Sequence, residues 1–126
     1  MTTVRQDLGD RALRFAAAVL DRYSRLAAGG PAQSHMTEQL FRSVSAIGAN
    51  LEEGKVANSR RDMGSKDAIA LREAREARHW LRLLATQPAW TEELAPLVRE
   101  SSEFVAMLTV SVRRLRTPPP DVSGPR

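Results

Sequence analysis

Cysteine is absent from the 126 residues, which excludes disulfide bonds, thiolate catalysis and zinc sites built on Cys. Every uncharged run falls short of the ~20 apolar residues that span a bilayer. The N-terminal segment MTTVRQDLGD also lacks the apolar region of a secretion signal. The sequence therefore predicts a cytoplasmic protein that has no membrane partner.

Recognisable catalytic motifs are missing as well. The sequence has no G-x-S-x-G nucleophile elbow and no glycine-rich phosphate loop. A single E-x-x-H step, Glu76 to His79, follows Glu73 and precedes Glu100 and Glu103 on a later segment. Di-iron bundles use this step twice, on two helices, whereas it occurs here once. We therefore expect no enzymatic activity, cofactor, metal or small-molecule substrate.

Positive charge is carried almost entirely by arginine, with 17 Arg against 2 Lys and a formal net charge of +4. A guanidinium group binds phosphate or carboxylate through two hydrogen bonds, so this composition is compatible with nucleic-acid binding. A GC-rich genome, which encodes Arg where other genomes encode Lys, explains the same composition. Composition alone leaves both explanations open.

Apolar residues recur at steps of three and four along four segments, which is the pattern of helices that bury one face. Short connections separate the segments, so each helix is expected to return antiparallel to the one before it. The predicted fold is all-α, an antiparallel up-down-up-down four-helix bundle in residues 1–116. The predicted helices are about 7–28, 34–53, 60–86 and 91–116, and the proline-rich segment 117–126 is predicted to be a disordered tail.

Local signals define several details of these helices. Gly54 is predicted to end the second helix, and Ser59 is predicted to cap the third with Asp62 in its first turn. On the first helix, Asp21 and Arg25 are four residues apart, a spacing that favours an ion pair on the surface.

One polar group is predicted to set the register between the second and third helices. Glu73 falls on the apolar stripe of the third helix, and a buried carboxylate needs a partner. Antiparallel pairing places it level with Arg42 and Ser43, so we expect one or both to hold it. Asn50, near the end of the second helix, is expected to bond backbone groups of the loop at 54–59.

Two groups of arginines are candidates for contact with nucleic acid. They lie on one outward side of the third helix and at the end of the fourth; the residues are Arg72, Arg75, Arg82, Arg113, Arg114 and Arg116. Phosphate contact requires only such a basic face. Aromatic residues make up 5% of the chain, too few to favour recognition of single strands by base stacking. A solvated face with internal Glu–Arg pairs is the alternative.

The fourth helix has a wide apolar stripe. Val98, Val105 and Val112 recur at intervals of seven and flank its central heptad. This flank is a candidate oligomer interface, and an ordinary buried helix face is the alternative.

Three blocks of the sequence resemble a family of small bacterial four-helix bundle proteins. The blocks are QLFRSVSAIGANLEEG, SRRDMGSKDAIALREAREARHWLRLL and the weaker Glu100-x-x-Glu103-Phe104. The family includes proteins encoded in intervening sequences of bacterial 23S ribosomal RNA genes. The accessory variability proteins of diversity-generating retroelements are distant relatives. Met63, Glu52 and the loop 55–58 depart from the family pattern.

This resemblance implies a ring-like homopentamer of four-helix bundles for which no enzymatic activity is established. The distant relatives bind nucleic acid and a reverse transcriptase through basic surfaces. The resulting expectation is a non-enzymatic homo-oligomer that binds RNA, or a protein associated with RNA, through its Arg-rich surfaces. The alternative is a protein-interaction scaffold with no role in nucleic-acid binding.

Overall fold

The structure, a computed structural model, describes residues 4–117 and consists of four helices. They are α1 (Val4–Ala27), α2 (Pro31–Lys55), α3 (Arg60–Leu84) and α4 (Pro88–Arg116). Within the described range there is no strand, which confirms the predicted all-α four-helix bundle. The predicted tail lies outside the described residues except for Thr117.

Prolines begin two of the helices. α2 begins at Pro31 and α4 at Pro88, each three residues before the predicted start. Proline suits the first helical position because its fixed φ is helical and no backbone N–H is required there. The cap of α3 matches its prediction, since the Ser59 hydroxyl accepts a hydrogen bond from the Asp62 N–H at 3.0 Å.

Gly54 does not end α2, and this prediction was wrong. The helix continues to Lys55, and Gly54 is buried inside it. A Cβ atom at this position would lie 2.8 Å from Nη2 of Arg5 and 3.6 Å from Oδ1 of Asp67. The glycine therefore allows α2 to approach a buried ion pair and does not act as a helix terminator.

The core is continuous across all four helices. α2 packs against α1 and α3, and α3 packs against α4, whereas the backbones of α1 and α4 approach each other less closely. Phe15 and Phe104 bridge this wider gap by stacking, with ring centroids 5.4 Å apart. The small side chains of Ala70, Ala74 and Ala77 are fully buried on α3, which packs against a neighbour on two sides. Across residues 4–117, none of the helices has the length and apolar character needed to cross a bilayer.

Candidate nucleic-acid interface

The outward face of α3 carries a line of arginines. Arg61, Arg72, Arg75 and Arg82 are exposed, and the 100° turn between successive residues places them on one side of the helix. At 1.5 Å per residue, the line from Arg61 to Arg82 is about 32 Å long. The predicted residues Arg72, Arg75 and Arg82 therefore belong to a longer basic stripe that begins at Arg61.

These guanidinium groups have little neutralisation from the protein itself. In the described part of the chain, no carboxylate oxygen lies within 4 Å of Arg61, Arg75 or Arg82. Arg72 is 4.0 Å from Glu73 but is itself 73% exposed. The stripe therefore presents charged donors that an anion in solution can reach.

The arginines at the end of α4 lie beside the start of this stripe. Arg113, Arg114 and Arg116 are exposed, and a guanidinium N–H of Arg60 donates to the backbone carbonyl of Arg114. A groove of about 740 Å³ between the two helices is lined by both groups, its basic residues being Arg60, Arg61 and Arg116. The fold thus brings together two groups of arginines that are separate in the sequence.

Arginines between α1 and α4 are paired with carboxylates. Across the α1–α4 seam, Arg11 bonds both oxygens of Glu100 at 2.6 and 2.7 Å, and Arg25 bonds Glu93 at 2.6 Å. Hydrogen bonds and the nearby carboxylates hold the pKa of Arg11 above its ordinary value. Hydrogen bonding by Arg25 likewise holds the pKa of Glu93 below its ordinary value. This seam therefore uses both signs of charge, whereas exposed arginines with little neutralisation lie on α3 and at the end of α4.

The predicted polar group at α2–α3 is only partly assembled. Glu73 is 5% exposed, and its Oε2 lies 3.6 Å from Nη1 of Arg42. The hydrogen bond from Arg42, however, goes to Oε1 of Glu76 at 2.7 Å. The Ser43 hydroxyl and Oε2 of Glu73 are buried and make no hydrogen bond within the described residues. Arg42 therefore bridges two carboxylates, and Ser43 does not hold Glu73 by a hydrogen bond.

The bond to Arg42 affects the ionisation of Glu76. Partial burial raises the pKa of this carboxyl, but hydrogen bonds from Arg42 and Trp80 outweigh that effect and leave the pKa below its ordinary value.

Asn50 does not join the group, and its predicted role in the loop was wrong. Its Nδ2 donates to the Ala46 carbonyl at 2.8 Å, one turn earlier in α2.

A second polar group, which the sequence interpretation missed, connects helices nearer the start of α3. Asp67 is fully buried and receives two hydrogen bonds of 2.9 Å from Arg5. The Ser111 hydroxyl donates to its Oδ2 at 2.5 Å. Asp67 lies three and four residues before Ala70 and Leu71 on the buried stripe, and this spacing is the signal that could have identified it. The group joins α1, α3 and α4.

The predicted valine flank is not uniform. Val112 is 4% exposed and belongs to the core, so it offers almost no surface to a second subunit. The reason is that α4 has a wider buried face than its central heptad predicts. Val98 and Val105 are half-buried at the edge of the core, and their role at an interface stays a prediction.

The carboxylates and histidines considered for a metal do not converge. In residues 4–117, no three His, Asp or Glu side chains are close enough together to hold a metal ion. Glu73 and Glu76 instead both face Arg42, and His79 packs edge-on against Trp80 with centroids 5.0 Å apart.

Comparison with known proteins agrees with the predicted resemblance. The family model described as 23S rRNA-intervening sequence protein matches residues 6–110. A crystal structure of a protein with unknown function from the S23 ribosomal protein family of Bacteroides thetaiotaomicron is similar. It shares 33% identity with a TM-score of 0.74, and the match covers 83% of this chain and 97% of that chain. No curated protein matches. The chain belongs to the 23S rRNA-intervening sequence protein family.

Proposed function

We propose that this protein is a non-enzymatic, cytoplasmic homo-oligomer that binds RNA through the stripe on α3 and the adjoining end of α4. The observation that carries the proposal is the exposed row of Arg61, Arg72, Arg75 and Arg82, in which only Arg72 has a carboxylate within 4 Å in the described chain. A row of exposed guanidinium groups about 32 Å long can contact several phosphates at once.

Phosphate contact, and not base reading, is the recognition mode that this surface favours. Phe15, Phe104 and Trp90 are buried, and the other aromatic residues, Tyr23, Phe41 and Trp80, are half-buried. Without exposed aromatic platforms, bases of a single strand have little on which to stack. Contacts to the sugar-phosphate backbone carry no sequence information directly, so we expect structured RNA to bind with little dependence on its sequence.

The proposal includes an up-down-up-down topology and assembly as a ring-like homopentamer. Ion pairs between α2 and α3 support the topology, because residue 42 pairs with residue 76 while Glu53 pairs with Lys66 at 2.7 Å. Such pairing requires the two helices to run in opposite directions. The family resemblance supports the pentamer. Five copies, each with a net charge of +4, would present five basic stripes to one RNA and gain affinity by multivalency.

Fluorescence anisotropy with a labelled RNA hairpin tests the proposal. We expect binding whose association constant falls steeply between 50 and 200 mM salt, as for roughly 6–10 phosphate contacts. Replacing Arg75 and Arg82 with glutamine should weaken binding and lower the salt slope by about one for each contact removed.

A matched control removes the same kind of charge from another face. Arg14 is exposed on α1 and has no carboxylate within 4 Å in the described chain. Arg14→Gln should therefore leave RNA binding close to that of the wild type, whereas Arg75→Gln should weaken it. If the wild-type protein fails to bind the hairpin even at 50 mM salt, the RNA proposal is wrong and the protein-interaction scaffold takes its place. If both glutamine variants weaken binding equally, net charge and not the α3 stripe is responsible.

A further inference from the structure

The outer face formed by α1 and α2 is unusually apolar for an exposed surface. Leu13 is 70% exposed and Leu20 is 57% exposed, and their seven-residue spacing places them on the same side of α1. A groove of about 550 Å³ beside them has a floor of small residues that include Ala16, Ala17 and Gly48. Two exposed leucines over a floor of this kind have the shape that accepts a ridge of side chains from another helix.

The charges at this groove are acidic. Asp10 and Glu52 line it, and Glu38 is exposed on the same side of α2. Glu38 and Glu52 are fourteen residues apart, which is about 21 Å along a helix. Lys55, which bonds Glu52 at 2.8 Å, is the cation at its rim.

The exposed face of α4 has the opposite charge and a complementary shape. Ala106 and Val110, which is 54% exposed, form its apolar centre. Arg99 and Arg113 lie on the same side, also fourteen residues apart, and in the described residues neither has a carboxylate within 4 Å. Two acids lie on this side: Glu103 is already paired with Arg11, and Glu92 lies seven residues before Arg99, outside the segment between the two arginines. A narrow apolar ridge with a free cation toward each end thus matches a groove with an acid toward each end.

We propose that the α1–α2 groove is the docking surface for the α4 face of a second copy of this chain. The contact joins Leu13 and Leu20 of one copy to Ala106 and Val110 of the next, and the glutamates at 38 and 52 face the arginines at 99 and 113. Because the two surfaces differ, the contact is head-to-tail, which is the kind of contact that a closed ring repeats from one copy to the next. It assigns Arg113 to the subunit contact instead of RNA, and it rests on the proposed homo-oligomer.

Light scattering after size exclusion tests the apolar half of the contact. Leu13→Gln combined with Leu20→Gln should raise the dissociation constant at least about 100-fold. At a concentration where the wild type is assembled, the measured mass should then fall to the 13.9 kDa of one chain. The matched control replaces Val56 and Leu83, which are also exposed but lie on other surfaces, and it should keep the wild-type mass. Circular dichroism verifies that each variant is folded.

A charge exchange tests the polar half and includes its own rescue. Changing Glu38 and Glu52 to arginine should abolish assembly, and so should changing Arg99 and Arg113 to glutamate. The chain with all four changes regains opposite charges across the contact and should assemble again. Failure of the fourfold variant, when each pair of changes has dissociated the protein, would overturn the pairing of these two faces.

Cysteine cross-linking gives an independent measurement, since the chain has no cysteine of its own. Ala17→Cys and Ala106→Cys variants, mixed and oxidised, should form a disulfide-linked pair. A Ser65→Cys variant, whose cysteine lies on α3, should form no such pair when it is mixed with either of them. If the wild type is oligomeric but Leu13→Gln/Leu20→Gln has no effect and no cross-link forms, the docking surface is wrong while the proposed oligomer stands. A monomeric wild type would overturn both.

Discussion

Replacing Asp67 with asparagine should destabilise the bundle more than any change of a surface acid. The carboxylate is fully buried and accepts three hydrogen bonds, two of 2.9 Å from Arg5 and one of 2.5 Å from Ser111. Asparagine keeps the volume but removes the charge and one acceptor oxygen, so that an amide N–H faces the guanidinium group. Removing one partner of a fully buried ion pair costs about 3–5 kcal/mol.

The expected loss is smaller than that range because the pair is only partly enclosed. The Arg5 side chain is 26% exposed, so water can solvate it once the partner charge is gone. We therefore expect Asp67→Asn to lower the free energy of unfolding by about 2–3 kcal/mol. For a domain of this size, that loss corresponds to a decrease in Tm of roughly 6–15 °C.

Thermal and urea unfolding at fixed protein concentration measure this loss. Asp21→Asn is the control, since Asp21 is exposed and has no ion pair within the described chain. In a double-mutant cycle with Arg5→Met, the combined loss should fall short of the sum of the single losses by at least about 1 kcal/mol. If Asp67→Asn and Asp21→Asn unfold at the same temperature, the buried pair does not stabilise the fold and the reasoning fails.

Two glycines of α2 and one carboxylate of α4 give further predictions. Gly48→Ala places a Cβ in ordinary contact with the methyl group of Ala12 at 3.6 Å, whereas Gly54→Ala places one 2.8 Å from Nη2 of Arg5. In urea unfolding, Gly48→Ala should raise the free energy of unfolding by about 0.5–1 kcal/mol, and Gly54→Ala should not raise it. The pKa of Glu100 is held below its ordinary value of 4.5 first by the hydrogen bond from Arg11, against the opposing effect of burial. Its contribution to stability is therefore complete above pH 4.5 and is lost as the pH falls through the lower pKa of the folded state. Glu100→Gln should reduce the slope of unfolding free energy against pH below 4.5, and an unchanged slope would contradict the assignment.

The pattern of apolar residues was sufficient to predict the four helices, because the helical period is strong in every segment. It was insufficient at the starts of the second and fourth helices, which were predicted three residues too late. In the structure, Pro31 and Pro88 occupy the first position of a helix, since the missing N–H has no partner to lose there.

Ion pairs between two helices were harder to predict than ion pairs within one helix. The spacing of Asp21 and Arg25 favours a local ion pair, yet Arg25 bonds Glu93 of α4 at 2.6 Å. Sequence distance says nothing about which carboxylate is brought near by packing. The same limit explains why Asp67 was missed, since its partners Arg5 and Ser111 are 62 and 44 residues away.

The arginines of the candidate interface could be identified from the sequence, but their arrangement could not. Arg72, Arg75 and Arg82 share a helix, so helical spacing alone places them together. That the end of α4 lies beside Arg60 and Arg61 depends on the packing of α3 against α4, which only the fold shows.

The most direct test of the central proposal is multi-angle light scattering of the purified protein, alone and with an RNA hairpin, at low and at physiological salt. We predict a particle of about five times 13.9 kDa that co-elutes with the hairpin at low salt and releases it as salt rises. A particle of that mass that never co-elutes with the hairpin would contradict RNA binding, and a protein of 13.9 kDa at both salt concentrations would contradict the proposed assembly.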